Sequence, residues 1–300
     1  MRILGFDTSL ASNEWKHYYS TETDNIKLHY VRKGKGEPVI LLHGWPGFWF
    51  DWRYVIPGLA EHCHVIAPDF RGFGDSDKPD ILPSEGYTPE HLARDIINLM
   101  AELHIQKAIF VAHDIGATVA QTIAYSYPEY VKGMVLLNPP YPGIGSRRFE
   151  PSIQKEFWYQ HLHNLPLAET LIGSSTDNIK HYILHFYDHW TGPGSKATIG
   201  DLNDILNVYT REGHFNKSIL YYKARAAAKT VQAVNQSSKP PIYQTTKVLW
   251  GEKDPVIPVS WSDKLREHFF DVSLKTLPEI GHFVPFEAPD TVIETVLEFL

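Results

Sequence analysis

The chain of 300 residues contains a single cysteine, Cys63, so it cannot form an internal disulfide framework. It has no run of basic residues, and its formal net charge of −7 argues against nucleic acid or an anionic membrane as its main partner. No segment approaches the roughly 18 apolar residues that a membrane helix requires, and the N-terminal residues lack the apolar run of a secretory signal. These absences predict a soluble protein suited to a reducing compartment, and we expect it in the cytoplasm.

Cys63 lies between His62 and His64, which raises the question of a metal site. Successive residues of a strand point to opposite faces, so these three side chains do not form a ready set of ligands. The sequence therefore predicts an ordinary strand edge at this point and no metal site.

What the sequence does contain is an alternation of short, apolar, β-branched runs with longer helix-like segments. Apolar residues recur at helical spacing in 89–104 and 117–127, and 26–34 has the pattern of an edge strand. This alternation is typical of an α/β fold in which helices cover both faces of a mostly parallel sheet. The runs are nearly continuous in apolar residues, which predicts strands buried on both faces. The predicted strands are 39–43, 64–68, 107–113, 133–138, 246–251 and 272–277.

The alternation breaks between residues 139 and 241. This region begins with PPYPG, ends with SSKPP, and is helix-like and rich in aromatic and histidine residues in between. Proline clusters of this kind mark exits from regular elements. The sequence therefore predicts that 1–138 and 242–300 form one α/β core domain, into which 139–241 is inserted as a helical cap.

The segment FVAHDIGAT places one acidic side chain, Asp114, at a predicted strand-to-helix turn. Ala112 and Gly116 flank it, and such small residues let the backbone turn sharply and hold the central side chain out above the sheet. The N-terminus of the following helix favours a carboxylate or a developing anion. Asp114 is therefore a candidate nucleophile, although the pentapeptide alone is equally compatible with an aspartate that caps the helix.

Two later loops carry residues that could complete a catalytic triad with Asp114. Asp254 and His282 follow the last two predicted strands, in the chain order nucleophile, acid, histidine. Open α/β sheets place their sites at the carboxyl ends of the strands. Upstream, HGWPG follows the strand 39–43, and the backbone N–H groups of Trp45 and Ile115 could form an oxyanion hole.

Five segments resemble the α/β-hydrolase superfamily: HGWPG, DFRGFGDSDKP, VAHDIGA, WGEKDPVIP and GHFVPFEAPD. The aspartate elbow and HGWPG resemble the epoxide hydrolases more narrowly. Some members of the superfamily take the acid from the loop after the strand equivalent to 133–138. Here that loop begins with Asn138 and two prolines, which favours Asp254.

The resemblance to epoxide hydrolases implies two tyrosines of the cap that donate hydrogen bonds to the epoxide oxygen. The segment LYYKA points to Tyr222, and FWYQHLHNLP points to Tyr159. The resemblance implies an alkyl ester on Asp114, hydrolysed by a water that His282 and Asp254 activate. The expected partners are a small apolar epoxide and water, the product is a vicinal diol, and no metal or organic cofactor is needed.

Two alternatives stay open at this point. An aspartate nucleophile also suits organohalides, but haloalkane dehalogenases usually carry tryptophan where this chain has Ile115. Fluoroacetate dehalogenases carry arginines at the positions of Ile115 and Thr118, and neither residue here can pair with a carboxylate. The chain could also be a relative that binds a ligand without turning it over.

Further residues have weaker indications. His43, Trp158 and Phe283 are candidates for lining the pocket. His181, His185 and His189 recur at helical spacing, but no HExxH carboxylate accompanies them, so packing or pocket lining is favoured over a metal. The sequence leaves the oligomeric state open, with a homodimer as one option.

Overall fold

The centre of the fold is an eight-stranded sheet with the strand order β1-β2-β4-β3-β5-β6-β7-β8. The structure of the protein is a computed structural model, which describes residues 15–193, 202–232 and 240–300. The strands are β1 (His17–Tyr19), β2 (His29–Lys33), β3 (Pro38–Leu42), β4 (His64–Pro68), β5 (Ala108–His113), β6 (Val131–Leu137), β7 (Thr246–Gly251) and β8 (Val272–Leu277).

Strand direction divides the sheet into two parts. β1 pairs with β2, and β2 with β4, in antiparallel fashion, whereas every pairing from β4 to β8 is parallel. All six residues of β5, AIFVAH, are buried, as expected for a strand covered by helices on both faces. The predicted mostly parallel sheet, flanked by helices, is confirmed.

The helices follow the strands in the alternating order that the sequence predicts. The α-helices are α1 (Ile56–Ala60), α2 (Pro83–Gly86), α3 (Pro89–Glu102), α4 (Ile115–Ser126), α5 (Pro151–Gln154), α6 (Trp158–His163), α7 (Thr176–Trp190), α8 (Asn203–Tyr209), α9 (His214–Ser218), α10 (Leu220–Gln232), α11 (Leu265–His268), α12 (Val284–Glu287) and α13 (Pro289–Leu297). Short 3₁₀ segments span Trp49–Trp52, Pro128–Tyr130, Pro142–Phe149 and Val259–Lys264, and a π-helical turn spans Ala168–Ile172.

Helix α3 shows how the local sequence produces the observed element. Thr88 precedes the helix in extended conformation, and Pro89 occupies its first position, where the missing N–H has no partner to lose. Its apolar residues recur at spacings of three and four and form the buried face. The last two residues of the predicted span 89–104 lie beyond its end.

Two features of the sheet differ from the prediction. β8 was expected to be buried on both faces, but four of its six residues are exposed, because it lies at the edge of the sheet and only β7 pairs with it. β1 was not predicted, because three residues, HYY, are too few to show a period.

Residues 139–241, which we call the helical insertion, join β6 to β7. Their described part contains α5 to α10 and no strand. Residues 194–201 and 233–239 of the predicted insertion lie outside the described residues. Among the helices within 15–193, 202–232 and 240–300, none combines the length and the apolar character needed to cross a membrane.

Candidate active site

Asp114 stands on a strained turn between β5 and α4. Its backbone has φ +49° and ψ −113°, a region that non-glycine residues rarely adopt. The neighbouring backbone comes very close: a Cβ on Gly44 would lie 2.7 Å from the Cβ of Asp114, and one on Gly116 would lie 2.2 Å from the carbonyl oxygen of Leu42. Glycine at both positions therefore permits the turn.

The side chain of Asp114 does not act as a helix cap, although the residue occupies the cap position. Its Oδ2 accepts a hydrogen bond from the backbone N–H of Trp45 at 3.1 Å, and the N–H of Ile115 also interacts with the carboxylate. Burial raises the pKa of Asp114, against the opposing effects of His282 and the two N–H groups. The two predicted oxyanion-hole donors thus converge on this carboxylate.

His282 and Asp254 form a buried, hydrogen-bonded pair. His282 Nδ1 lies 2.8 Å from Asp254 Oδ2, and Asp254 Oδ1 accepts hydrogen bonds from the backbone N–H groups of Val256 and Ile257. Burial alone would lower the pKa of His282, but the charge and hydrogen bond of Asp254 outweigh it and raise the pKa. His282 and Asp114 also attract each other electrostatically, so all three predicted triad residues meet in one site.

Asn138, at the end of β6, ties together the loops that carry this pair. Its Oδ1 accepts a hydrogen bond from Gly251 N, and its Nδ2 donates to Gly281 O at 3.0 Å and to His282 O at 3.1 Å. The residue is fully buried and has φ +43°, which asparagine tolerates better than most residues. Asn138 therefore fixes Asp254 and His282 relative to each other.

A second residue that holds the loop of His282 in place is Glu287, at the end of α12. Its carboxylate accepts hydrogen bonds from the backbone N–H groups of Gly192, Gly281 and Phe283. Gly192 belongs to the helical insertion, so Glu287 links the insertion to the loop of His282. The sequence segment GHFVPFE contained this residue, but its role depends on a contact with residue 192 that no local pattern indicates.

The two predicted tyrosines of the insertion lie together above the oxyanion loop. Tyr159 on α6 stacks on the ring of Trp45 at 5.4 Å, and the rings of Tyr159 and Tyr222 lie 5.6 Å apart at 85°. The two hydroxyls interact by a hydrogen bond, and both phenols lie within electrostatic reach of Asp114. Burial, reinforced by that negative charge, raises the pKa of both phenols well above 10, so both stay protonated at neutral pH.

Gln160 adds a polar contact that the sequence did not predict. Its Nε2 donates a hydrogen bond to Tyr159 Oη at 3.0 Å, while Arg148 Nη2 lies 3.4 Å from its Oε1. The guanidinium accordingly orients the amide so that its N–H faces the phenol. A hydrogen bond donated to a phenol oxygen stabilises the phenolate form.

His163 packs against both predicted tyrosines of the insertion. It is fully buried, packs against the rings of Trp45, Tyr159 and Tyr222, and its Nε2 lies 2.9 Å from the hydroxyl of Tyr182. Burial lowers its pKa to about 3, so the imidazole is neutral at physiological pH. The sequence does not single out His163, because the segment HLH gives no sign of which of its two histidines faces inward.

The three candidate pocket-lining residues take different positions. Phe283 is buried against Tyr187 and next to His282. His43 is buried with both ring nitrogens at hydrogen-bond distance from backbone atoms, Gly44 O and Phe70 N, so it supports the loop rather than presenting a polar atom to a ligand. Trp158 is 40% exposed and faces α7, because Tyr159 takes the inward side of α6.

The three histidines of α7 do not join the site, whereas His113 packs on the ring of His282 and its Nε2 donates to His282 O at 2.8 Å. His181, His185 and His189 form an exposed stripe on α7, and His189 pairs with Glu156. Within the described ranges, the group of side chains close enough to share a metal ion is His17, His29 and Asp75, near β1 and β2. Each of the three already has a partner: His17 pairs with His29, His29 with Asp69, and Asp75 with Arg211.

Comparison with known proteins gives consistent matches along nearly the whole chain. A model of the alpha/beta hydrolase fold family matches residues 37–289. The soluble epoxide hydrolase of Corynebacterium sp. (strain C12) is 29% identical over 294 residues, covering 96% of this chain and 98% of that protein. Epoxide hydrolase 3 of Mus musculus is 30% identical over 286 residues, covering 93% and 75% of the two chains. The solved structure of epoxide hydrolase CorEH without ligand is 27% identical, with a TM-score of 0.81 and coverage of 95% and 98%.

Proposed function

The chain belongs to the α/β-hydrolase fold family and, within it, to the epoxide hydrolases, and from this premise we propose that it opens an epoxide to a vicinal diol through an alkyl ester on Asp114. The observation that supports this most is the setting of Asp114. Its carboxylate stands on a positive-φ turn, makes no capping bond, and is held by the N–H of Trp45 at 3.1 Å. A side chain kept in this costly conformation without a structural task is a candidate for chemistry.

In the first step, Asp114 attacks one carbon of the epoxide in line with the breaking C–O bond. Because Oδ2 is held by Trp45 N, Oδ1 is the oxygen we assign to the attack. Oδ2 then becomes the carbonyl oxygen of the ester. Burial favours this step, since a poorly solvated carboxylate is a better nucleophile than one in bulk water.

The epoxide oxygen gains negative charge as its bond to carbon breaks. Tyr159 and Tyr222 supply two O–H donors that are already fixed by packing, and their raised pKa keeps them protonated at the working pH. One of them transfers its proton to the alkoxide. Gln160, which donates to Tyr159 Oη, stabilises the phenolate that such a transfer leaves behind.

In the second step, His282 takes a proton from a water that attacks the carbonyl carbon of the ester. Asp254, hydrogen-bonded to Nδ1, holds the ring so that Nε2 is the basic nitrogen and stabilises the imidazolium that forms. The oxyanion develops on Oδ2, where Trp45 N already donates, and Ile115 N is the second donor to this carboxylate. As this intermediate collapses, the departing alkoxide oxygen takes the proton held by His282, which releases the diol. The acid proton that the attacking water leaves on Asp114 returns to the phenolate, so the carboxylate, the imidazole and the tyrosine are all restored.

In this proposal the helical insertion acts as a cap domain over the core. It supplies both phenols, Gln160 and the buried His163, whereas the core supplies the nucleophile, the base and the oxyanion donors. The mechanism requires only side-chain acids and bases, so neither a metal nor an organic cofactor takes part in it.

The test measures by chromatography how much styrene oxide is converted to its diol. It compares the variant Asp114→Ala with the unaltered protein. We expect turnover by the unaltered protein and none by Asp114→Ala. Retained turnover in that variant would remove Asp114 from the mechanism. Release of halide from bromoalkanes or chloroalkanes, with no diol from any epoxide, would instead support a dehalogenase.

A further inference from the structure

Two arginines of the helical insertion lie beside the tyrosine pair. Arg225 is on α10, three residues after Tyr222 and four after Tyr221, so it shares their side of the helix. Its Cζ lies 5.7 Å from the centre of the Tyr221 ring. Arg148 reaches the other phenol through Gln160, which hydrogen-bonds Tyr159. A guanidinium is therefore linked to Tyr159 through Gln160, and a second one lies beside Tyr221, the chain neighbour of Tyr222.

Neither guanidinium is neutralised by a carboxylate. Four other arginines pair with aspartates, as in Arg71 with Asp95. Within residues 15–193, 202–232 and 240–300, no Asp or Glu oxygen lies within 4 Å of Arg148 or Arg225. Both side chains are only partly exposed, so bulk water compensates their charges incompletely.

The two charges also act on each other. Burial, together with the positive charge of Arg225, lowers the pKa of Arg148 to about 10. Tyr221 acts most strongly on Arg225, and the charge of Asp114, which the proposed mechanism uses as the nucleophile, also acts on it. Two like charges that act on each other near an active site, without a carboxylate of their own, favour the binding of an anion beside them.

A third group at this place is the hydroxyl of Tyr221. The side chain is 1% exposed, and among the described residues its hydroxyl makes no hydrogen bond of normal geometry. The polar groups that act on it are those of Thr118 and Arg225, and Thr118 is on α4, one turn after Asp114. A buried hydroxyl with contacts this poor retains the capacity to hydrogen-bond a bound ligand.

We propose that Arg225, supported by Arg148 and the hydroxyl of Tyr221, binds a carboxylate of the substrate, so that the preferred substrate is an epoxide bearing a carboxylate close to the ring. This rests on the proposed epoxide hydrolysis. α4 offers only Ile115 and Thr118 beside the nucleophile, neither of which is charged, so the cation comes from the insertion instead. The planar guanidinium matches a carboxylate in a two-point contact.

The experiment compares two probes of nearly equal shape, 3-phenylglycidate and 3-phenylglycidamide, which differ in charge. The variants are Arg225→Gln and, as a control with the same change of charge, Arg266→Gln on the exposed side of α11. We expect the unaltered protein to favour the carboxylate probe in kcat/KM. Arg225→Gln should lower kcat/KM for that probe about tenfold to a hundredfold, mainly through KM, and change the amide little. Arg266→Gln should change neither.

Added salt provides a second measurement, because it should weaken turnover of the carboxylate probe and leave the amide unaffected. Diol formation from the amide at equal or higher kcat/KM in the unaltered protein would overturn the inference and leave epoxide hydrolysis intact. An equal loss on both probes in Arg225→Gln would assign the arginine to the tyrosines rather than to the substrate. If neither probe nor styrene oxide were opened, the proposed function itself would fail.

Discussion

Asn138 offers the sharpest test of how the catalytic pair is positioned. Asn138→Asp keeps the size and the backbone tolerance of the residue and exchanges only the Nδ2 donor group for an acceptor. The bond from Gly251 N to Oδ1 can remain. The bonds that Nδ2 donates to Gly281 O and His282 O, at 3.0 and 3.1 Å, cannot both be made by a carboxyl group.

The cost follows from these two bonds. Each intramolecular hydrogen bond contributes about 1 kcal/mol, and the buried carbonyl of Gly281 costs more once it has lost this donor. The carbonyl of His282 keeps a second donor, because His113 Nε2 lies 2.8 Å from it. We therefore expect Asn138→Asp to lower the free energy of unfolding by about 2–4 kcal/mol at neutral pH. The introduced carboxyl can still donate one bond when protonated but repels both carbonyls when ionised. The loss should thus be smaller near about pH 5 than near about pH 8.

The assay has two parts. Urea unfolding followed by tryptophan fluorescence gives the stability at both pH values, with the dependence on urea as a check that the folded state is unchanged. Single-turnover kinetics then separate ester formation from ester hydrolysis. Ester formation needs Asp114 and the tyrosines, whereas hydrolysis needs the aligned pair. We expect hydrolysis to slow by about tenfold to a hundredfold and ester formation to change much less.

Two results would refute this reasoning. A variant as stable as the unaltered protein at both pH values would show that the amide makes no important bonds. A variant in which both kinetic steps slow equally would show a general loss of structure instead of a displaced Asp254–His282 pair.

Three further predictions concern the same site and the core. Asp254→Asn should slow ester hydrolysis by about 10²–10⁴-fold and shift the acid limb of its pH profile to lower pH. The reason is that His282 must be neutral to act and loses the carboxylate that raises its pKa. An acid limb that stays at the same pH in stopped-flow measurements would contradict this. Tyr222→Phe should slow ester formation by about tenfold or more without slowing hydrolysis, as burst kinetics can measure. Phe110→Ala, in the fully buried β5, should lower the free energy of unfolding by about 3–5 kcal/mol in urea titrations.

The sequence predicted those parts of the site that stand in the loops that follow strands. Asp114, Asp254 and His282 each follow an apolar run, and parallel strands bring such positions to one edge, so chain order and spacing were sufficient. Tyr159 and Tyr222 needed a family resemblance, because their roles depend on how α6 and α10 fold back over the core.

Other features could not be predicted from local patterns. Asn138 was seen only as the absence of a carboxylate, since its three bonds reach residues more than 110 positions away. The contact of Arg148 with Gln160 depends on packing within the insertion. So does the position of Arg225, whose charge acts on Arg148. β8 has an apolar pattern typical of a buried strand, but its burial is set by the lack of a neighbour beyond it.

The central claim, a covalent ester on Asp114, is tested most directly by mass spectrometry of His282→Gln after incubation with styrene oxide. That variant keeps the nucleophile and both phenols but lacks the base that activates water, so the ester should accumulate. We predict that the mass of the protein rises by the mass of one styrene oxide, and that the added mass maps to the peptide containing Asp114. An unmodified protein that still forms diol, or a label on another residue, would contradict the claim.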